Sequence, residues 1–152
     1  MSGKFRNGFT LIELLVLMAV LGVVAAIAVP SFSRLIESNQ LTTANNDLVG
    51  ALNMARVEAV RSGSPKSLVP DTTFTDGYEI AEDDGTVVSE FEGPSGQFMI
   101  ALTDGVNPRF SATGLLPAGG STFNVCRASD EDGTAITITA GGQIRSSRIT
   151  CP

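Results

Sequence analysis

The 152-residue chain has no histidine and no tryptophan, one tyrosine and two cysteines. Without histidine it lacks the usual general base near neutral pH and the commonest metal ligand. Hydrolase and zinc chemistry therefore have little to build on, and the chain reads as non-enzymatic, with no cofactor or metal. Cations are scarce as well: ten Lys and Arg stand against sixteen Asp and Glu, a formal charge of -6. Two of the ten, Lys4 and Arg6, lie in the first eight residues, so from residue 9 onward eight cations face sixteen acids, a net of -8. That balance opposes broad attraction to nucleic acid or anionic lipid.

Glycine-rich and acidic stretches are present but carry no binding signature. Gly93-Pro94-Ser95-Gly96 and Pro117-Ala118-Gly119-Gly120 are not followed by the Lys-Ser/Thr of a phosphate loop. Glu82-Asp83-Asp84-Gly85 and Asp130-Glu131-Asp132-Gly133 lack the alternate-residue carboxylate spacing of a calcium loop. All four stretches are expected to be turns.

Residues 9–29, FTLIELLVLMAVLGVVAAIAV, contain only two polar side chains, Thr10 and Glu13. As a helix this run is about 31 Å long, the thickness of a bilayer's hydrocarbon core. Lys4 and Arg6 flank one end, whereas Arg34 on the other side is offset by Glu37. The positive-inside bias therefore puts the N-terminus in the cytoplasm and the remainder outside. An ordinary signal peptide fits poorly, since its apolar core is about 7 to 15 residues long and Val29-Pro30-Ser31 is a poor cleavage site. Glu13 is the anomaly. A carboxylate near the middle of a membrane helix costs on the order of 3 kcal/mol, so intramembrane acids are functional by default.

Gly8-Phe9-Thr10-Leu11-Ile12-Glu13-Leu14, behind a basic leader, resembles the processing and N-methylation motif of type IV pilins and type II secretion pseudopilins. The resemblance implies that a prepilin peptidase cuts between Gly8 and Phe9, discards residues 1–8 and methylates the new amine of Phe9. It also implies that Glu13 registers an incoming subunit against the terminal amine of its neighbour, giving a buried charge the partner it needs. Pro30 falls where the family commonly has a kinking proline. Gly22 and Pro30 bracket a stretch of weakened helix propensity, because Pro30 cannot donate to the Ala26 carbonyl. This stretch is a candidate for local melting in an assembled filament.

Beyond Pro30 the pattern turns amphipathic. Leu41, Ala44, Leu48, Ala51, Leu52, Ala55 and Ala59 recur at steps of three and four, and Gly63 and Pro65 end the helix. From Lys66 the composition shifts to Gly, Thr, Ser and Asp around short apolar runs. Strands are expected at 67–69, 78–81, 87–91, 98–102, 122–126, 135–139 and 143–147, the last two joined as a hairpin by Ala140-Gly141-Gly142. The expected fold is α+β, a long helix packed on a C-terminal antiparallel β-sheet domain, as in the pilin fold. Its segments are a leader (1–8), a transmembrane half-helix (9–29), an amphipathic half-helix (30–63) and a β-rich domain (64–152). Because the β-rich part is placed in an oxidising compartment, Cys126 and Cys151 should pair, and closing that loop is worth about 3.5 kcal/mol on a chain-entropy model.

Ala55-Arg56-Val57-Glu58-Ala59 is similar to the helix end of the GspH/FimT-type family. Phe110-Ser111-Ala112-Thr113-Gly114, Phe123 to Cys126 and Gly142-Gln143-Ile144-Arg145 are similar in order and spacing to that family's C-terminal half. Arg56 and Glu58 themselves read as solvated helix residues. Some members bind DNA through a tail resembling G-R-x-R. Here Gln143 replaces the first arginine, leaving Arg145 and Arg148 as the residues that would touch nucleic acid, and fewer cations mean weaker phosphate binding. The implied role is a minor pilin that joins or primes a type IV pilus, with other pilins, the prepilin peptidase and the inner membrane as partners. The alternatives are a minor pseudopilin of a type II secretion system and a DNA receptor for transformation.

Overall fold

The computed structural model describes residues 10–94, 98–127 and 131–152. One helix, α1 (Leu11–Ser62), precedes eight strands. The chain divides into two compact units, residues 1–38 and 39–152, with the division inside the segment expected to be amphipathic.

In the second unit α1 presents Ala44, Leu48, Ala51, Leu52, Ala55 and Ala59 as a buried stripe. Four of these six residues are alanine, and the stripe packs with side chains of both sheets in one apolar core. The helix stops at Ser62 because Gly63 takes φ = 67°, the left-handed conformation that glycine adopts without a Cβ penalty.

The strands form two four-stranded antiparallel sheets, in line with the expected antiparallel β domain. The first contains β1 (Lys66–Pro70), β2 (Gly77–Ala81), β3 (Val87–Glu92) and β5 (Arg109–Phe110), in the order β3-β2-β1-β5. The second contains β4 (Met99–Asp104), β6 (Ser121–Cys126), β7 (Asp132–Ile138) and β8 (Ile144–Thr150), in the order β4-β6-β7-β8. All seven expected strands appear. The two-residue β5 was not expected, since a pair of residues has no periodicity; its pairing of Phe110 with Lys66 and Arg109 with Ser67 places it.

Leu68, Ile80 and Phe110 from the first sheet meet Phe123, Val125, Ile136 and Ile138 from the second around the helix stripe. Alternation along Ile136-Thr137-Ile138 puts both isoleucines inside and Thr137 out. Between the sheets, Phe74 packs edge-on against Phe123 with centroids 4.9 Å apart. The Thr75 hydroxyl accepts from Ile100 N at 3.0 Å and donates to Ile100 O at 3.3 Å.

Residues 82–85 are a turn as expected, with Gly85 at φ = 86° and Thr86 N donating to Asp84 Oδ1 at 2.9 Å. At Pro117 to Gly120, Gly119 N donates to Leu116 O at 3.1 Å. The expected turn at 130–133 needs correction. Asp130 lies outside the described residues, as do Ser95 and Gly96 of the 93–96 stretch, but Asp132 and Gly133 are inside β7. Gly133 is a glycine because of the disulfide. Cys126, ending β6, and Cys151, just past β8, bond across β7 with Cα atoms 6.0 Å apart. A Cβ on Gly133 would collide with Cys151 Sγ and lie 3.0 Å from Cys126 Sγ.

Lys66 is also placed by tertiary structure. It is 1% exposed, and its Nζ donates to Ser62 Oγ at 2.9 Å, to Ser64 Oγ, and to Glu82 Oε1 at 3.1 Å. A buried ammonium is tolerated only when paired and hydrogen-bonded in this way.

Candidate functional site

The first half of α1 has the opposite character from the second. From Leu11 to Ile36 its large apolar side chains are exposed, from 43% at Ile36 to 77% at Leu11. The helix is long and apolar enough to cross a membrane. A surface of this size on a water-facing element would be an aggregation hazard; inside lipid or between like helices it is satisfied.

Gly8 and Phe9, the expected cleavage and methylation positions, lie outside the described residues. Glu13 has a local role beside the one its place in the apolar run implies. Thr10 N donates to Glu13 Oε2 at 3.4 Å, and Glu13 N donates to Thr10 Oγ1 at 3.3 Å. This reciprocal pair is a capping box, legible in the sequence as Thr-x-x-Glu. In the isolated chain Glu13 thus satisfies an orphan amide at the start of its own helix.

Gly22 and Pro30 lie within α1, which runs through both without interruption. Beside Pro30 two hydroxyls bond back into the helix, Ser31 Oγ to Ile27 O at 3.1 Å and Ser33 Oγ to Val29 O at 3.2 Å. Such back-bonds keep hydroxyls satisfied in an apolar medium and soften the local helix.

Arg145 and Arg148 are both exposed on β8, three residues apart. Arg145 pairs with the outward-facing Thr137, and Arg148 pairs with Thr134 on the face that carries Ile136 and Ile138. The two guanidiniums therefore leave opposite faces of the strand. Arg145 Nη2 donates to Gln143 Oε1 at 3.2 Å.

Two residues of the Ala55–Ala59 motif do more than contact solvent. Glu58 makes a two-pronged pair with Arg61, at 2.9 and 2.6 Å, which holds its carboxyl below the usual range. Arg56 is partly buried against Gly114 and Gly142, both at φ = 75°. Its guanidinium gathers three of the separated motif stretches at one place.

The family described as "Type II transport protein GspH" matches residues 44–142, and the "Prokaryotic N-terminal methylation motif" matches residues 3–29. A fimbrial protein of Pseudomonas aeruginosa is 35% identical over 102 residues, covering 66% of this chain and 62% of that protein. One from Dichelobacter nodosus is 33% identical over 90 residues, covering 55% and 56%. The chain thus spans less than two thirds of the length of either relative. The crystal structure of the Pseudomonas aeruginosa (strain PAO1) type IV minor pilin FimU is similar with a TM-score of 0.65 and 25% identity, over 73% of this chain and 90% of that one. An exposed apolar half-helix with an acid near its start, a buried alanine stripe and a disulfide-closed pair of sheets accord with these likenesses, and the chain belongs to the GspH family of type IV pilin-like proteins.

Proposed function

We propose that this chain is a minor pilin that joins or primes a type IV pilus. The observation that carries the proposal is Glu13, set in an exposed apolar half-helix that leads into a folded domain similar to FimU. The chain is made with its N-terminus in the cytoplasm and its β-rich part in the periplasm. Prepilin peptidase cuts between Gly8 and Phe9 and methylates the Phe9 amine. The half-helix is then anchored in the inner membrane until neighbouring pilins replace lipid around it.

Glu13 leaves its capping box with Thr10 for the Phe9 amine of a neighbour, exchanging a long neutral-donor bond for a charge-assisted one. The stretch between Gly22 and Pro30 melts in the filament, with the Ser31 and Ser33 hydroxyls taking up part of the freed carbonyl capacity. Mass spectrometry of the mature N-terminus tests the processing step: a methylated Phe9 is expected, and an intact Met1 or a cut after Pro30 would defeat the reading.

A second reading, a minor pseudopilin of a type II secretion system, is favoured by the printed description of the matching family. Deleting the gene separates the two. Loss of surface pili supports the first, and loss of exoprotein release with intact pili supports the second. Contact with DNA through Arg145 and Arg148 is disfavoured by their divergence across β8, and gel mobility shift at low salt tests it.

A further inference from the structure

Arg56 projects from the flank of the buried stripe of α1, where two distant stretches of chain are shaped around it. A Cβ on Gly114 would stand 3.0 Å from Arg56 Nε and 3.2 Å from Val60 Cγ2. One on Gly142 would stand 3.1 Å from Arg56 Nε, 3.2 Å from its Cζ, and in collision with Gly114 O. Both glycines have positive φ, so replacing either would meet backbone strain as well as lost space. The guanidinium is thus positioned by backbone packed on both sides rather than by hydrogen bonds.

Its charge is also unanswered. Arg61 has Glu58, Arg109 has Asp83 and Lys66 has Glu82, whereas Arg56 has no hydrogen-bond or ion-pair partner among the described residues. None of its nitrogens is a buried donor without a partner, so in the free chain water meets this fixed, planar five-donor group, and a matching acceptor on a partner can take the place of that water. The apolar residues beside it are open: Val57 is 63% exposed, Val60 51% and Leu115 47%. A fixed arginine beside exposed apolar side chains has the composition of an interface centre.

We propose that Arg56, held between Gly114 and Gly142 and flanked by Val57, Val60 and Leu115, docks a carboxylate of a neighbouring pilin subunit. The proposal rests on the filament reading. Charge complementarity supports a carboxylate: this chain carries sixteen acids against eight cations from residue 9 onward, so a subunit of its kind offers acids far more often than bases. A guanidinium takes a carboxylate through two parallel bonds, which fixes orientation as well as affinity.

The test uses the full-length chain with Arg56→Lys, in cells that make the filament, treated with a water-soluble carbodiimide. That reagent joins an amine to a carboxylate in direct contact. The background is low, because Lys66 is the only other lysine beyond residue 8 and is buried. Peptide mapping is expected to find an isopeptide from the introduced amine to an Asp or Glu of another pilin. Linkage only within the chain, or none, overturns the proposal.

In parallel, Arg56→Glu should lower the amount of chain recovered in sheared filaments by about thirtyfold or more, the low end for losing one partner of a desolvated, hydrogen-bonded charge pair, with melting of the folded part unchanged. Wild-type recovery of Arg56→Glu would overturn the proposal. So would duplex DNA retention that depends on Arg56 without any carboxylate linkage. If wild-type chain never enters filaments, the filament reading fails by itself, while a linkage to another pilin in the membrane would still uphold the Arg56 site.

Discussion

The two halves of α1 are one secondary-structure element built for two solvents. Before Pro30 the helix is apolar on every side apart from Glu13, and Leu14, Leu17 and Leu21 are all more than half exposed. After Gln40 the apolar residues narrow to a stripe, and Leu48, Leu52 and Ala55 are fully buried. Helix formation itself does not distinguish the halves, since backbone hydrogen bonds are satisfied locally in both. The difference is in what the side chains need: lipid or neighbouring helices for the first half, and this chain's own two sheets for the second. The first half is therefore stable only in company, which is the physical condition for an assembly element.

Substitutions in the two halves should fail by different routes. The largest effect is expected from closing the space over the disulfide. Gly133→Val should prevent Cys126–Cys151 from forming, and loss of a disulfide in a domain of this size costs about 2 to 5 kcal/mol. Thiol labelling of the unfolded variant, compared with wild type, reads the loss. Next, Leu52→Ala should destabilise the second unit by about 3 kcal/mol, the range for leucine deletions in a packed core, as measured by urea unfolding. The comparison sharpens with Leu17→Arg, where the expected cost is about 3 kcal/mol of membrane insertion with no change in unfolding of the second unit. If Leu17→Arg lowers the midpoint of that unit as Leu52→Ala does, the two halves are not energetically separate.

A smaller effect tests burial through pH. Tyr78 is the chain's single tyrosine, and there is no tryptophan, so absorbance near 295 nm reports its phenol alone. Burial, with a smaller contribution from Asp47, pushes that phenol up to about 12. The unfolded value is about 10. The folded pKa is the higher one, so the stabilisation from a neutral phenol is complete below about pH 10 and is lost as pH rises to about 12. Titration near 10 in the folded protein would show Tyr78 to be solvated, and Tyr78→Phe should remove the alkaline transition.

The smallest effect belongs to the exposed pair of Arg109 with Asp83, whose carboxyl is held below its usual range by the guanidinium. That depressed value adds stability above the ordinary carboxylate range, lost as pH falls through the folded pKa. With both groups solvated, Arg109→Ala should leave the urea midpoint at pH 7 within error.

Much of this was legible in the residue order. The apolar run, the acid within it and the alanine-leucine stripe are local patterns, and from Leu11 onward they map directly onto α1, which ends just before the Gly63 stop. Ile136 and Ile138 could be placed inside because alternation has a period of two. The capping box of Thr10 and Glu13 was equally legible but was overshadowed by the membrane cost of the acid. Other features were not legible. Lys66 looked like the start of a polar domain and lies buried against Ser62, Ser64 and Glu82. Gly133 looked like a turn residue and instead makes room for two sulfur atoms.

By itself, then, the sequence determined an element that must leave water, a helix with one dry face, and strands ordered along the chain. These follow from interactions spanning one to four residues, which any sufficiently long segment carries within itself. Tertiary structure alone decided that the strands divide into two sheets, that β5 exists, and that Arg56 meets Gly114 and Gly142. Those outcomes depend on side-chain volume and backbone position at sites 28 to 86 residues apart, where no local periodicity reaches and only the closed fold brings the atoms into contact.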